Sequence, residues 1–86
     1  MTASDFESAQ GLLRGILIDL TGRLPAQAIE QLDELIDVGE LPLCLTVLLQ
    51  SLEHHALALS SDEREGLLHL ATRMGVRSAY LESAPP

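Results

Sequence analysis

Eighty-six residues with a net charge of −8 make one small domain, and that charge argues against two classes of partner at once. Nucleic-acid phosphates and anionic membrane surfaces both call for a basic face, whereas five Arg and no Lys stand here against 13 acidic residues. Hydrophobic residues fill 47% of the chain, enough for a core, but aromatics supply only 2% (Phe6 and Tyr80). Leu and Ala dominate over β-branched and aromatic side chains, so the composition favours helices over a sheet.

The first helix is expected over about Ser4 to Thr21. Ser4 is a suitable cap, Asp5 and Glu7 suit the first turn, and Phe6, Ala9, Leu13, Ile16, Leu17 and Leu20 recur at helical spacing as the buried stripe. Gly11 and Gly15 interrupt it and suggest either close approach of a neighbouring helix or a fraying first half. Gly22 suits the C-terminal end and Pro25 the first turn of the second helix, expected over Pro25 to Val38, with Ile29, Leu32 and Ile36 buried and Leu35 beside them.

Gly39 closes that helix, and Pro42 opens a third over about Pro42 to Ala58. Its core face is Leu45, Leu48, Leu49, Leu52 and Ala56, while Leu43, Cys44 and Val47 spread apolarity around the cylinder, as in the central helix of a bundle. The last helix carries the clearest start: Ser60 with Glu63 three residues on is a capping box. Leu67, Leu70, Ala71 and Met74, with Leu68 at the edge, form its buried side, and Gly75 ends it. Short loops make consecutive helices antiparallel neighbours. The expectation is therefore an all-α fold: a compact antiparallel bundle of four helices with short loops, one domain over 1–86, with an ordered core at about 4–76 and a mobile C-terminal tail over 77–86.

Cys44 is alone, so no internal disulfide forms and a reducing compartment is compatible. The start, Met1-Thr2-Ala3-Ser4-Asp5, lacks a signal peptide's basic and apolar regions, and the most apolar stretch, Leu41 to Leu52, is too short to span a bilayer. A cytoplasmic protein is expected. Within that stretch Cys44 reads as a buried, inert thiol. His54 and His55 are sequence neighbours, which point about 100° apart on a helix and cannot jointly grip one metal. One should pack under the helix end and the other face water. No catalytic residues, cofactor or metal site are expected. An acyl-carrier role would need a serine at the start of the second helix, and Leu24-Pro25-Ala26-Gln27-Ala28 has none.

One constellation remains. Glu30, Asp33, Glu34 and Asp37 are spaced i, i+3, i+4, i+7 on one face of the second helix, Glu40 follows directly, and no Lys or Arg interleaves. The Glu30–Glu34 and Asp33–Asp37 pairs repel, each at about 0.2–0.5 kcal/mol, and Asp37 sits near the helix's negative end. Many such faces are merely solvated. The functional alternative is a stripe, extended by Glu53, that meets a basic cleft on a protein partner.

The order of these features, Asp37-Val38-Gly39-Glu40, then Leu43-Cys44-Leu45, then Leu59-Ser60-Ser61-Asp62-Glu63 and Met74-Gly75-Val76, resembles the MafI-type immunity proteins of bacterial polymorphic toxin systems. The resemblance covers about Ile29 to Val76 and departs at Thr46, where a glutamate often stands, and at Leu41-Pro42, which replaces a Gly-rich turn. It implies a protein that binds the C-terminal domain of a cognate secreted toxin, often a nuclease with a basic cleft, inside the producing cell. Two other classes are compatible with the residues: a helical adaptor or regulatory subunit offering a groove to a partner helix, and a homodimer built on the Leu-rich helices.

Overall fold

The computed structural model describes residues 3–77 and Leu81. Four helices run in order: α1 (Ala3–Leu20), α2 (Ala26–Asp37), α3 (Leu41–His54) and α4 (Ser61–Met74). No strand occurs among the described residues, and the expected all-α bundle is what forms. No helix among them is long and apolar enough to cross a membrane.

The apolar stripes meet in one core. α1 contributes Ala9, Leu13, Leu17 and Leu20, α2 Leu32 and Ile36, and α4 Leu67, Leu70 and Ala71. Phe6, Ile16, Ile29 and Met74 pack against it half-buried. From α3, Leu41, Cys44, Leu45, Leu48, Leu49 and Leu52 are all buried. α1 and α3 each pack against every other helix, so α3 shares the centre of the bundle with α1. Among the described residues no polar or charged side chain is buried, and no buried side-chain N or O atom lacks a hydrogen bond. The core is an apolar interior built mostly of leucine.

Three loops carry glycine in the left-handed region: Gly22 (φ +89°), Gly39 (φ +81°) and Gly75 (φ +70°). At Gly39 the turn closes with Gly39 N–H donating to the Ile36 carbonyl and Glu40 N–H to that of Leu35, the paired bonds of a Schellman end. The Phe6 ring covers this turn, its Cζ 3.5 Å from where a Cβ on Gly39 would stand.

α3 ends four residues before its expected limit, and its last turn explains why. Ala56 adopts φ +50°, with its N–H on the Glu53 carbonyl and Leu57 N–H on that of Leu52. This is again a Schellman end, with alanine where glycine is favoured. Ala56 is therefore an exposed turn residue and has no place on the core face. Ala56→Gly should raise stability by about 0.5–1 kcal/mol, the relief of left-handed strain exceeding glycine's extra freedom in the unfolded chain. Inside a helix the same change would lower stability by a similar amount. The sign of the shift in a urea titration decides between the two.

α4 begins as its capping box requires: Ser60 N–H donates to Glu63 Oε1 at 2.9 Å, and Glu63 N–H donates to Ser60 Oγ at 3.1 Å. Beyond α4, Leu81 is buried in the core, which therefore reaches past the expected limit at residue 76. Arg77 is exposed, and the rest of the expected mobile tail lies outside the described residues.

Candidate functional site

The short turn at Gly22–Pro25 folds α2 back along α1. Gln10 Nε2 donates to the Ile36 carbonyl at 3.3 Å, and Arg14 reaches the α2 acidic face. Its Nη2 lies 2.6 Å from Asp37 Oδ1 and its Nη1 4.0 Å from Asp33 Oδ1. The face that carries one sign along the sequence is therefore two-signed in space. Half of it, Asp33 and Asp37, shares a guanidinium supplied by the neighbouring helix. Exposed pairs of this kind contribute little to stability, about 0.2–1 kcal/mol, but they do take charge from the stripe.

Glu30, Glu34 and Glu40 are exposed, and none is in an ion pair among the described residues. Glu53 is exposed too, but elsewhere. Cys44 faces α2, its thiol donating to the Leu32 carbonyl at 3.5 Å. At about 100° per residue, nine positions carry Glu53 half-way round α3 from Cys44. Glu53 thus points away from α2 and does not extend the stripe. The acidic face reduces to Glu30, Glu34 and Glu40 outward, with Asp33 and Asp37 tethered to Arg14.

Two of the other four arginines are also used internally. Arg73 Nη2 lies 3.2 Å from Asp5 Oδ1 and ties the end of α4 to the start of α1. Arg23, in the α1–α2 turn, places Nη1 2.7 Å from Glu63 Oε2 and donates through Nη2 to the Ala58 carbonyl. One side chain thus holds the α3–α4 loop and the start of α4 against the α1–α2 turn. The Ser60 N–H and then Arg23 hold the Glu63 carboxyl below its ordinary 4.5. A depressed carboxylate stabilises the fold above its unfolded pKa and loses that contribution as pH falls through the folded value. Glu63→Gln should accordingly lower the melting temperature at neutral pH, and the gap to the parent chain should close on acidification below about pH 4.5. A gap independent of pH would mean that the carboxylate's charge is not what stabilises the loop.

Cys44 is fully buried, and burial, with the Asp33 charge adding to it, pushes its thiol up to about 11. A thiol this basic stays protonated near neutrality and is a poor nucleophile. His54 and His55 stack edge to face, with ring centroids 5.0 Å apart. Both are exposed, so neither packs under the helix end as expected, because the chain turns away at Ala56 instead of covering them. Among the described residues no three His, Cys, Asp or Glu side chains gather closely enough to hold a metal ion.

The sequence reading missed a shallow groove between α1 and α2. It holds about 240 Å³ and is lined by Leu17, Ile18, Thr21 and Ile29, with Arg14 and Asp33 at one end. Ile18 stands 73% exposed on its edge, the most open large apolar side chain described. Its position off the α1 stripe was the available signal.

Comparison of the chain with protein-family models, curated proteins and solved structures gives no match. Fold and surface together define a small helical bundle whose distinctive surface is acidic and lies beside a partly apolar groove.

Proposed function

We propose that this chain is a protein inhibitor, an immunity protein that neutralises a cognate secreted toxin domain in the cytoplasm of the producing cell. The target of this reading is a nuclease, and the inhibitor covers its basic active-site cleft with the acidic face of α2. One observation carries the proposal: Glu30, Glu34 and Glu40 stay outward and outside any described ion pair, while Arg14, Arg23 and Arg73 are drawn into bridges within the bundle. The outer surface is left more one-signed than the composition alone requires. A cleft built for phosphates presents Arg and Lys at spacings that carboxylates can meet, and charge-assisted bonds there are the strong kind. The net charge of −8 also steers encounter with a basic partner and speeds association at low salt. The resemblance over Ile29 to Val76 points the same way.

The test is the triple reversal Glu30→Arg, Glu34→Arg and Glu40→Arg, assayed against the C-terminal domain of a secreted toxin encoded beside this chain; the absence of any such neighbouring gene would itself overturn the immunity reading. All three positions are exposed, so helicity and melting temperature should be retained. Affinity should fall by about a hundredfold or more, mostly through slower association at low salt and faster dissociation, and protection of a toxin-expressing cell should be lost. Full protection by a folded triple variant would reduce the stripe to solvated surface.

A further inference from the structure

Helical spacing sorts α1 into rows. Gln10 and Arg14 meet α2, Leu17 and Thr21 continue that row toward the turn, and Gly11, Gly15 and Ile18 form the next row outward. On α2, Ile29, Asp33 and Asp37 border α1, and Glu30 and Glu34 form the next row outward. The α1–α2 groove is thus floored by Leu17 and Ile29. Its α1 edge is apolar at Ile18, and on its α2 side Asp33 lines it, with Glu30 and Glu34 one row further out.

Neither glycine is explained by packing within the chain. A Cβ on Gly11 or Gly15 would meet nothing within 4 Å, and neither backbone lies in the left-handed region. Each glycine weakens an 18-residue helix. What the pair does provide is a stretch of the Ile18 row without side chains, running from beside the Arg14 end of the groove to an isoleucine left 73% exposed.

We infer that the α1–α2 groove is a docking site for a basic amphipathic helix of a partner protein, its apolar side on Ile18, Leu17 and Ile29 and its cations along Glu30 and Glu34. Charge complementarity selects this occupant. A second copy of the chain would bring its own Glu30 and Glu34, and a net charge of −8, against the same edge. An anionic lipid surface meets the same repulsion. A helix-in-groove partner is recognised by apolar anchors at i, i+3, i+4 and i+7, and its opposite sides are free to carry Lys or Arg. The inference rests on the protein-binding reading above and sharpens it by naming the element of the partner that is held.

The probe is a synthetic amphipathic helix of Leu and Lys, with a scrambled peptide of identical composition as its control. In a nuclear magnetic resonance titration of the full chain, amide shifts should concentrate at Leu17, Ile18, Thr21 and Ile29. The scrambled peptide, equally charged but with no apolar side, should bind about tenfold more weakly. Ile18→Glu should weaken the amphipathic peptide by about tenfold, although it adds a negative charge that simple attraction would reward. Leu43→Glu, the same change at a half-exposed site on α3, should not weaken it. Equal binding of the two peptides, tighter binding by Ile18→Glu, or shifts centred elsewhere would overturn the docking site. The two readings fail separately. If charge reversal abolishes toxin protection while the peptide ignores Ile18, the docking site falls and the acidic-face inhibitor stands. If the peptide seats in the groove and charge reversal leaves protection intact, the docking site stands and the inhibitor reading falls.

Discussion

Leu48→Ala should remove a large share of the chain's stability, about 2–5 kcal/mol, and Leu43→Ala, five residues earlier on the same helix, less than about 1 kcal/mol. Leu48 is wholly buried on α3, which packs against all three other helices, whereas Leu43 is 49% exposed. Deleting the Leu48 side chain costs its transfer energy plus a cavity that a leucine core closes only in part. A domain of this length has about 4–13 kcal/mol in total, so the loss would lower the melting temperature by roughly 10–40 °C. Urea titrations followed by circular dichroism measure both variants, and an unchanged slope keeps the comparison two-state. Equal losses would mean that α3 presents a different face to the core.

That contrast also marks where the sequence stops specifying the fold. On α1 most apolar residues recur as one stripe, with only Leu12 and Ile18 as large apolar side chains off it, so Ala9, Leu13, Leu17 and Leu20 are legible as core. α3 is apolar on most sides, and periodicity alone cannot separate buried Leu41 and Cys44 from exposed Leu43. Helix ends divide the same way. Gly22, Gly39 and Gly75 announce three turns, but the turn after α3 uses Ala56, which carries no such signal. At the candidate site the stripe on α2 was legible and its partial neutralisation was not, because Arg14 belongs to another helix. The information was present in one respect: Arg14 and Asp33 stand equally far from the middle of the α1–α2 turn, and in an antiparallel pair such residues face each other. Glu53 was misplaced for the converse reason, since closeness in composition says nothing about which side of α3 it occupies.

The double change Gly11→Ala and Gly15→Ala should stabilise the chain by about 1–2 kcal/mol, raising its melting temperature by roughly 5–15 °C. Both residues lie inside α1, both are exposed, and an added methyl group meets open space at each. Nothing in the native structure opposes the gain in helix propensity, and the unfolded chain loses freedom it would otherwise have to surrender on folding. A gain of this size from two surface methyl groups makes the glycines a cost to the folded monomer. Such a cost is expected where a surface is shaped for a partner, because sites that must admit another backbone are held below the stability the scaffold could reach. The two methyl groups stand in the same row of α1 as Ile18, so a Leu and Lys helix lying along that row should bind the stabilised variant more weakly than it binds the parent chain. Thermal melts and the peptide titration on one preparation test both halves. A higher melting temperature with weaker binding ties the glycines to docking, whereas a higher melting temperature with unchanged affinity removes them from the contact and leaves Ile18, Leu17 and Ile29 to carry it.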